Sequence, residues 1–175
     1  YLKQVYQSIS AKEVYSSYVF PWDCVVLTRS DVVLKMAYIA WMTNDIRLRE
    51  ELCTYLPALE SYNRASYIGI VLARTESKVE QEYVLQSLGD RSADIRDEAY
   101  KVLSEMSLSP EQYQHIEELL RFKYSEMRIN AINLLMKQPE AQLAASIRRL
   151  LSDKNAERRL AGLDMMKSIR NVDFL

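Results

Sequence analysis

The sequence predicts an all-α fold of antiparallel helix pairs stacked one after another, and three observations carry that prediction. An arginine recurs at Arg64, Arg96, Arg128 and Arg159, at steps of 32, 32 and 31 residues. Apolar residues follow each arginine at fixed offsets. Glycine and proline number only three and four in 175 residues, whereas a β fold of this length needs many tight turns.

The repeat is clearest where the chain is aligned with itself. In 94–99 (Asp94 to Ala99), 126–131 (Glu126 to Ala131) and 157–162 (Glu157 to Gly162), an acidic residue sits two before the arginine and a small one three after it. The pairs Ile70-Val71, Val102-Leu103, Leu134-Leu135 and Met165-Met166 come six and seven after it. Together with Tyr67, Ala99, Ala131 and Gly162 they make one stripe at helical spacing, predicted to be buried.

Each of these helices is preceded by another. The predicted pairs are 78–88 with 93–106, 110–122 with 125–137, and 139–151 with 155–169. Ser77-Lys78-Val79-Glu80 and Ser109-Pro110-Glu111-Gln112 read as capping boxes, in which hydroxyl and carboxylate or amide satisfy orphan N–H groups reciprocally. Pro139 opens the third leading helix. A less regular pair is expected at 44–56 and 61–73, with Pro57 just after its first helix. Short polar links inside each pair force antiparallel neighbours.

Residues 1–43 fit the period poorly and read as irregular N-terminal helices or a cap. One helix is predicted from Tyr1 to Val19, ending near Phe20-Pro21-Trp22-Asp23, and another runs from a cap at Asp31 through Trp41. The expectation is one repeat domain over 1–175, with about four helix pairs in 44–175. Because the chain opens on Tyr1 and not Met, it reads as a piece of a longer polypeptide.

Composition excludes several classes. Hydrophobic residues at 49% and charged residues at 27% suit a folded globular chain. With 23 basic and 24 acidic side chains the net charge is −1. Nucleic-acid binders usually carry a basic excess to neutralise phosphate, so nucleic acid is an unexpected partner. Cys24 and Cys53 match no metal spacing and make no disulfide framework, which points to a reduced, cytoplasmic setting. No apolar run reaches the roughly 18 residues of a membrane span. No phosphate-binding loop, no Gly-x-Ser-x-Gly and no His-Glu-x-x-His occurs.

The acidic-x-Arg-x-x-small-x-x-apolar-apolar pattern at 94–103, 126–135 and 157–166, with a weaker copy at 62–71, resembles the HEAT repeat family and its short phycobilisome-lyase-like branch. The resemblance covers about two thirds of the chain. The stretch 150–163 resembles, more faintly, helical regions of large bacterial proteins related to the molybdate-metabolism regulator. The HEAT resemblance implies a right-handed α-solenoid with a period of about 32, whose second helices line a concave side used for protein contact. It also implies that Arg64, Arg96, Arg128 and Arg159 are structural, bonding turn carbonyls or the acidic turn residues Asp90 and Asp153.

Away from the stripe, the second helices present Glu98, Lys101, Asn130, Asn133, Lys137, Asp164 and Lys167, a candidate concave contact face of mixed charge. Solvent is the plain reading of most of these positions. His115, the one histidine, has no partners for a zinc site or a catalytic base. Glu50-Glu51 and Glu117-Glu118 are adjacent on helices and diverge by about 100°; they read as solvated faces. No catalytic, metal or cofactor site is expected. The expectation is a non-catalytic scaffold for protein–protein or interdomain contact. The alternative is a HEAT-like nucleic-acid binder or DNA glycosylase-like enzyme, for which Trp22, Trp41 and Asp45 are the only material.

Overall fold

The structure, a computed structural model, describes the backbone of residues 1–9, 15–20 and 23–169, and the side chains of 1–9 and 26–169. It is all-α in class. In chain order the described elements are α1 (Leu2–Ser8), strands β1 (Tyr15–Phe20) and β2 (Asp23–Leu27), α2 (Arg29–Thr43), α3 (Ile46–Leu52), a 3-10 turn (Leu56–Ala58), α4 (Ser61–Val71), α5 (Lys78–Ser87), α6 (Ala93–Glu105), α7 (Pro110–Leu119), α8 (Ser125–Leu135), α9 (Glu140–Leu151) and α10 (Ala156–Ser168). Contacts divide the chain into two compact units, Tyr1–Tyr83 and Val84–Leu175.

The single helix expected over 1–19 is corrected. Among the described residues of that stretch only Leu2–Ser8 is helical, and Tyr15–Phe20 pairs with Asp23–Leu27 as an antiparallel ribbon that sets Tyr15 opposite Leu27 and Phe20 opposite Asp23. The sequences Tyr-Ser-Ser-Tyr-Val-Phe and Asp-Cys-Val-Val-Leu are rich in β-branched and aromatic residues, which fit a pleated surface better than a helix. Pro21 and Trp22, read as the helix end, lie outside the described residues. Asp31 is also reassigned: Thr28 is the N-cap of α2, and Asp31 completes the box three residues later, its carboxylate accepting from the Thr28 N–H at 2.7 Å.

In the first unit, α1 is tied to α2 through Arg29. Its Nε donates to the Ile9 carbonyl at 2.6 Å and its guanidinium lies 4.9 Å over the Tyr6 ring, which meets Tyr55 edge to face. Val33, Ala40, Leu52, Leu56, Ile68 and Leu72 form a fully buried core. Asn44, in the left-handed region at φ 49°, ends α2, and Asp45 caps α3 by accepting from the Arg47 and Leu48 N–H groups.

In the second unit, helix pairs α7–α8 and α9–α10 pack as antiparallel hairpins, and α6, α8 and α10 follow one another along one side. The predicted stripe is buried there except at its end: Ala99, Val102, Leu103, Ala131, Leu134, Leu135 and Met165 are in the core, while Met166 is half-buried. At the small-residue position of α10 the packing is closest. A Cβ on Gly162 would come within 3.2 Å of Leu150 and Leu151 in α9. The Ser109–Gln112 capping box forms with both bonds in place. The box read at Ser77–Glu80 forms only by half, because Ser77 Oγ accepts the Glu80 N–H at 3.4 Å while the Glu80 carboxylate turns inward.

Candidate functional site

Arg96, Arg128 and Arg159, three of the four repeat arginines, hold turns or neighbouring helices together. Arg96 Nη1 donates to the carbonyls of Asp90 and Arg91 at 2.9 and 3.1 Å, and its Nη2 reaches Glu126 on α8 at 3.1 Å. Arg159 donates to the carbonyls of Asp153 and Lys154 at 2.9 and 2.8 Å. Arg128 bridges two carboxylates of α10, Glu157 at 3.1 Å and Asp164 at 2.7 Å. Arg64 is half-buried on α4.

The second-helix residues named as a contact face are partly engaged within the unit. Lys101 pairs with Glu98 at 2.6 Å, Lys137 donates to the Ser104 carbonyl at 2.8 Å, and Asp164 is held by Arg128. Asn133 and Lys167 are exposed and Asn130 is half-buried. The Glu98 carboxylate raises the pKa of the fully exposed Lys101 ammonium. Mixed signs within ion-pair distance of one another leave little net field for a charged partner.

Two acids, one buried and one half-buried, were misread as solvated face and are corrected. Glu117 is 2% exposed, its carboxylate held by Arg149 at 2.7 and 3.3 Å, with Arg158 near at 3.7 Å. Glu50 is half-buried and accepts the Ser77 hydroxyl at 2.6 Å. Glu51 and Glu118 remain exposed, paired with Lys3 and Arg158 respectively. The signal that could have separated them was spacing. Glu117 stands 32 residues before Arg149, one repeat away, as Arg49 stands 31 before Glu80.

The first unit holds a different feature. The stripe position that is core in α6, α8 and α10 opens outward in α4, where Ile70 is 71% exposed. This corrects the expectation that Ile70 is buried. The core face of α4 is instead Ala65, Ile68 and, just past its end, Leu72. The leading helices differ as well: α9 has twelve residues, whereas α3 has seven and is followed by a 3-10 turn that holds Pro57.

The uncovered face of α4 and the adjacent face of α2 enclose an open groove of about 210 Å³. From α2 come Leu34, Ala37, Tyr38 and Trp41, and from α4 Asn63, Ser66, Tyr67, Ile70 and Val71, with Leu59 beside them. Tyr38 and Trp41 are 57% and 51% exposed, their rings 6.0 Å apart. Scattered exposed apolar side chains are ordinary, but a contiguous set marks a contact surface. No charged side chain lines it.

Tyr67, buried in the groove floor, also borders a polar cluster inside the unit. There Arg49 holds Glu80 through two bonds of 2.8 and 2.9 Å, and the Thr75 hydroxyl donates to the same carboxylate. Burial first, and then the Glu80 carboxylate, push the Tyr67 phenol well above its ordinary pKa. The same two causes in the same order push the Cys53 thiol up to about 12. A thiol held in its neutral form is a poor nucleophile. The hydrogen bonds that Arg49 donates to Glu80 raise the pKa of its guanidinium.

Of the other residues singled out, His115 is half-buried on α7, Trp41 rims the groove, and Asp45 is engaged as a helix cap. Trp22 lies outside the described residues. Among the described residues no cluster of His, Cys, Asp and Glu could hold a metal ion. None of their helices is long and apolar enough to cross a membrane.

Comparison with known proteins places the chain by family alone. No curated protein and no solved structure matches it. A family model does match over residues 1–174, nearly the whole length, and the chain therefore belongs to the family of unknown function DUF5724.

Proposed function

We propose that this chain is a non-catalytic, HEAT-like helical-repeat scaffold for protein–protein or interdomain contact, and that its contact surface is the groove between α2 and α4. The observation that carries this reading is the exposed pair Tyr38 and Trp41 facing Ile70 across an uncharged furrow. Aromatic anchors in an uncharged hollow are what the energetic centre of a protein interface is made of. The volume points the same way. At about 210 Å³ the groove is smaller than the roughly 300–1,000 Å³ of a small-molecule pocket, and it is open rather than enclosed.

The internal charges support a structural role for the rest of the chain. Glu80 and Glu117 each face an arginine of another helix, so both carboxylates are taken up in holding helices together. The mixed face of α6, α8 and α10 ranks second as a binding surface, because four of its seven named residues, Glu98, Lys101, Lys137 and Asp164, meet partners of their own unit.

Photo-crosslinking in cells tests the reading. A benzophenone amino acid replaces Tyr38 in one version of the protein and Lys101 in another. Adducts with polypeptide should form from position 38 and be scarce from position 101. Adducts from position 101 alone would move the surface to the second unit and overturn the assignment.

A further inference from the structure

We infer that the outer side of α9 and α10 is a docking face for one more helix pair of the same array, following in the same polypeptide, whose second helix opens with a carboxylate that Arg159 holds. This goes beyond the α2–α4 surface and rests on the second unit alone.

Two junctions inside that unit show how such a face is covered. α8 packs on α6, and α10 packs on α8. At the first junction Arg96 Nη2 holds Glu126 at 3.1 Å, and at the second Arg128 Nη1 holds Glu157 at 3.1 Å. Both acids lie in the first turn of the incoming helix, 30 and 29 residues after their arginine. A carboxylate suits that turn, beside the positive end of the helix dipole.

Arg159 is set for a third junction. Its Nη1 bonds the carbonyls of Asp153 and Lys154, just as Arg96 Nη1 bonds those of Asp90 and Arg91. The Nη2 that takes up Glu126 in Arg96 has, in Arg159, no hydrogen-bond partner among the described residues.

The packing changes at the same place. Seven residues after the repeat arginine, Leu103 and Leu135 are buried but Met166 is half-buried. Eight residues before it, Leu88 and Leu120 are buried but Leu151 is half-buried. Four residues after it, Tyr100 and Ile132 are half-buried but Leu163 is exposed. At each position the member that a further helix pair follows is the more buried.

Charge chooses the occupant. Eleven residues before the repeat arginine stands the buried Glu117 in one pair and the exposed Arg148 in the last, so the face presents the guanidinium groups of Arg148 and Arg159. A second copy meeting it across a twofold axis would set these cations against their own counterparts, and like charges so placed cost several kcal/mol. A helix opening on an acid answers them. At both existing junctions that helix belongs to the next pair of the same chain, joined through the short links 106–109 and 136–139.

Photo-crosslinking from position 163 of the intact gene product tests the inference. With a benzophenone amino acid in place of Leu163, a band of monomer mass should carry an adduct between α10 and a helix beyond Leu175 of the same polypeptide. That helix should bear Asp or Glu in its first turn, 29 or 30 residues after Arg159, as at the two junctions above. Arg159→Glu should cut the yield several-fold, because like charges across a packed junction repel. Replacing the partner acid by Arg in that variant should restore it. The restoration separates a broken ion pair from a misfolded α10, which a second charge reversal would not repair.

Adducts to another protein, to a second copy or within 1–175 overturn the assignment, and so does the absence of adducts. A yield indifferent to Arg159→Glu, or not restored by the reversal, overturns the part given to Arg159. None of these outcomes bears on position 38, so the α2–α4 reading stands or falls separately.

Discussion

Glu80 has no exposed surface, and both oxygens of its carboxylate are occupied by one guanidinium, Arg49 Nε at 2.8 Å and Nη2 at 2.9 Å. Two parallel charge-assisted bonds in a dry site hold α3 and α5 in one register. Desolvation opposes such a pair, so its worth lies in what happens when it is broken. Arg49→Met leaves an uncompensated buried carboxylate and should cost about 3–5 kcal/mol. The double change Arg49→Met with Glu80→Leu should recover most of that loss. Urea unfolding followed by circular dichroism measures both, and a double variant no more stable than the single one contradicts the account.

Cys53 provides the pH dependence. Burial raises its pKa from 9.0 to about 12, so the folded chain favours the neutral thiol more than the unfolded chain does. The sign follows from linkage: this contribution is fully present below pH 9 and is lost as pH rises toward 12. Stability should therefore fall through that window, and Cys53→Ala should flatten the decline. Peptide mapping after iodoacetamide at pH 8.5 should find Cys53 unmodified in the native protein and modified in urea.

Tyr67 carries a hydroxyl that is buried without a hydrogen-bond partner among the described residues. Removing an unsatisfied group relieves its desolvation cost, so Tyr67→Phe should be neutral or stabilising by up to about 1 kcal/mol. A melting temperature lowered by several degrees would mean the hydroxyl is engaged.

Close helix approach makes Gly162 a sensitive position. Valine there must displace Leu150 and Leu151, which a Cβ alone would meet at 3.2 Å, and overpacking of this kind costs about 1–3 kcal/mol. Alanine gains roughly 0.5–1 kcal/mol of helix propensity against a smaller clash. Thermal unfolding should thus separate Gly162→Val clearly from Gly162→Ala.

Arg128 and Arg159 share a repeat position but not an environment. One guanidinium at 128 spans two carboxylates of α10, a geometry lysine cannot reproduce. Arg128→Lys should cost about 1 kcal/mol after allowance for the partial exposure of Asp164. Arg159 is exposed and, among the described residues, bonds turn carbonyls alone, so Arg159→Lys should change stability by less than about 0.5 kcal/mol. Thermal melts of the two variants should rank them in that order.

The regular half of the fold was legible because its signals are local and repeated. Leading and second helices from α5 to α10 fall within a few residues of their predicted bounds, since a stripe at Ala99, Val102 and Leu103 recurs at Ala131, Leu134 and Leu135. The N-terminal ribbon was not legible, because Tyr-Ser-Ser-Tyr-Val-Phe carries no period that separates strand from helix over so short a run. The groove escaped for another reason. Ile70 is apolar and in phase, and its exposure depends on what packs over α4, a tertiary fact that no residue of α4 records. Glu117 escaped because its arginine lies a full repeat away.

The two buried ion pairs run in opposite senses along the chain. Arginine comes first in Arg49–Glu80, and acid comes first in Glu117–Arg149. Along the chain the order is Arg49, Glu80, Glu117, Arg149, so the acids stand on α5 and α7 and the arginines on α3 and α9. Each pair joins a leading helix to the next, and an extra hairpin inserted between α7 and α9 would part Glu117 from Arg149 and leave a buried carboxylate alone.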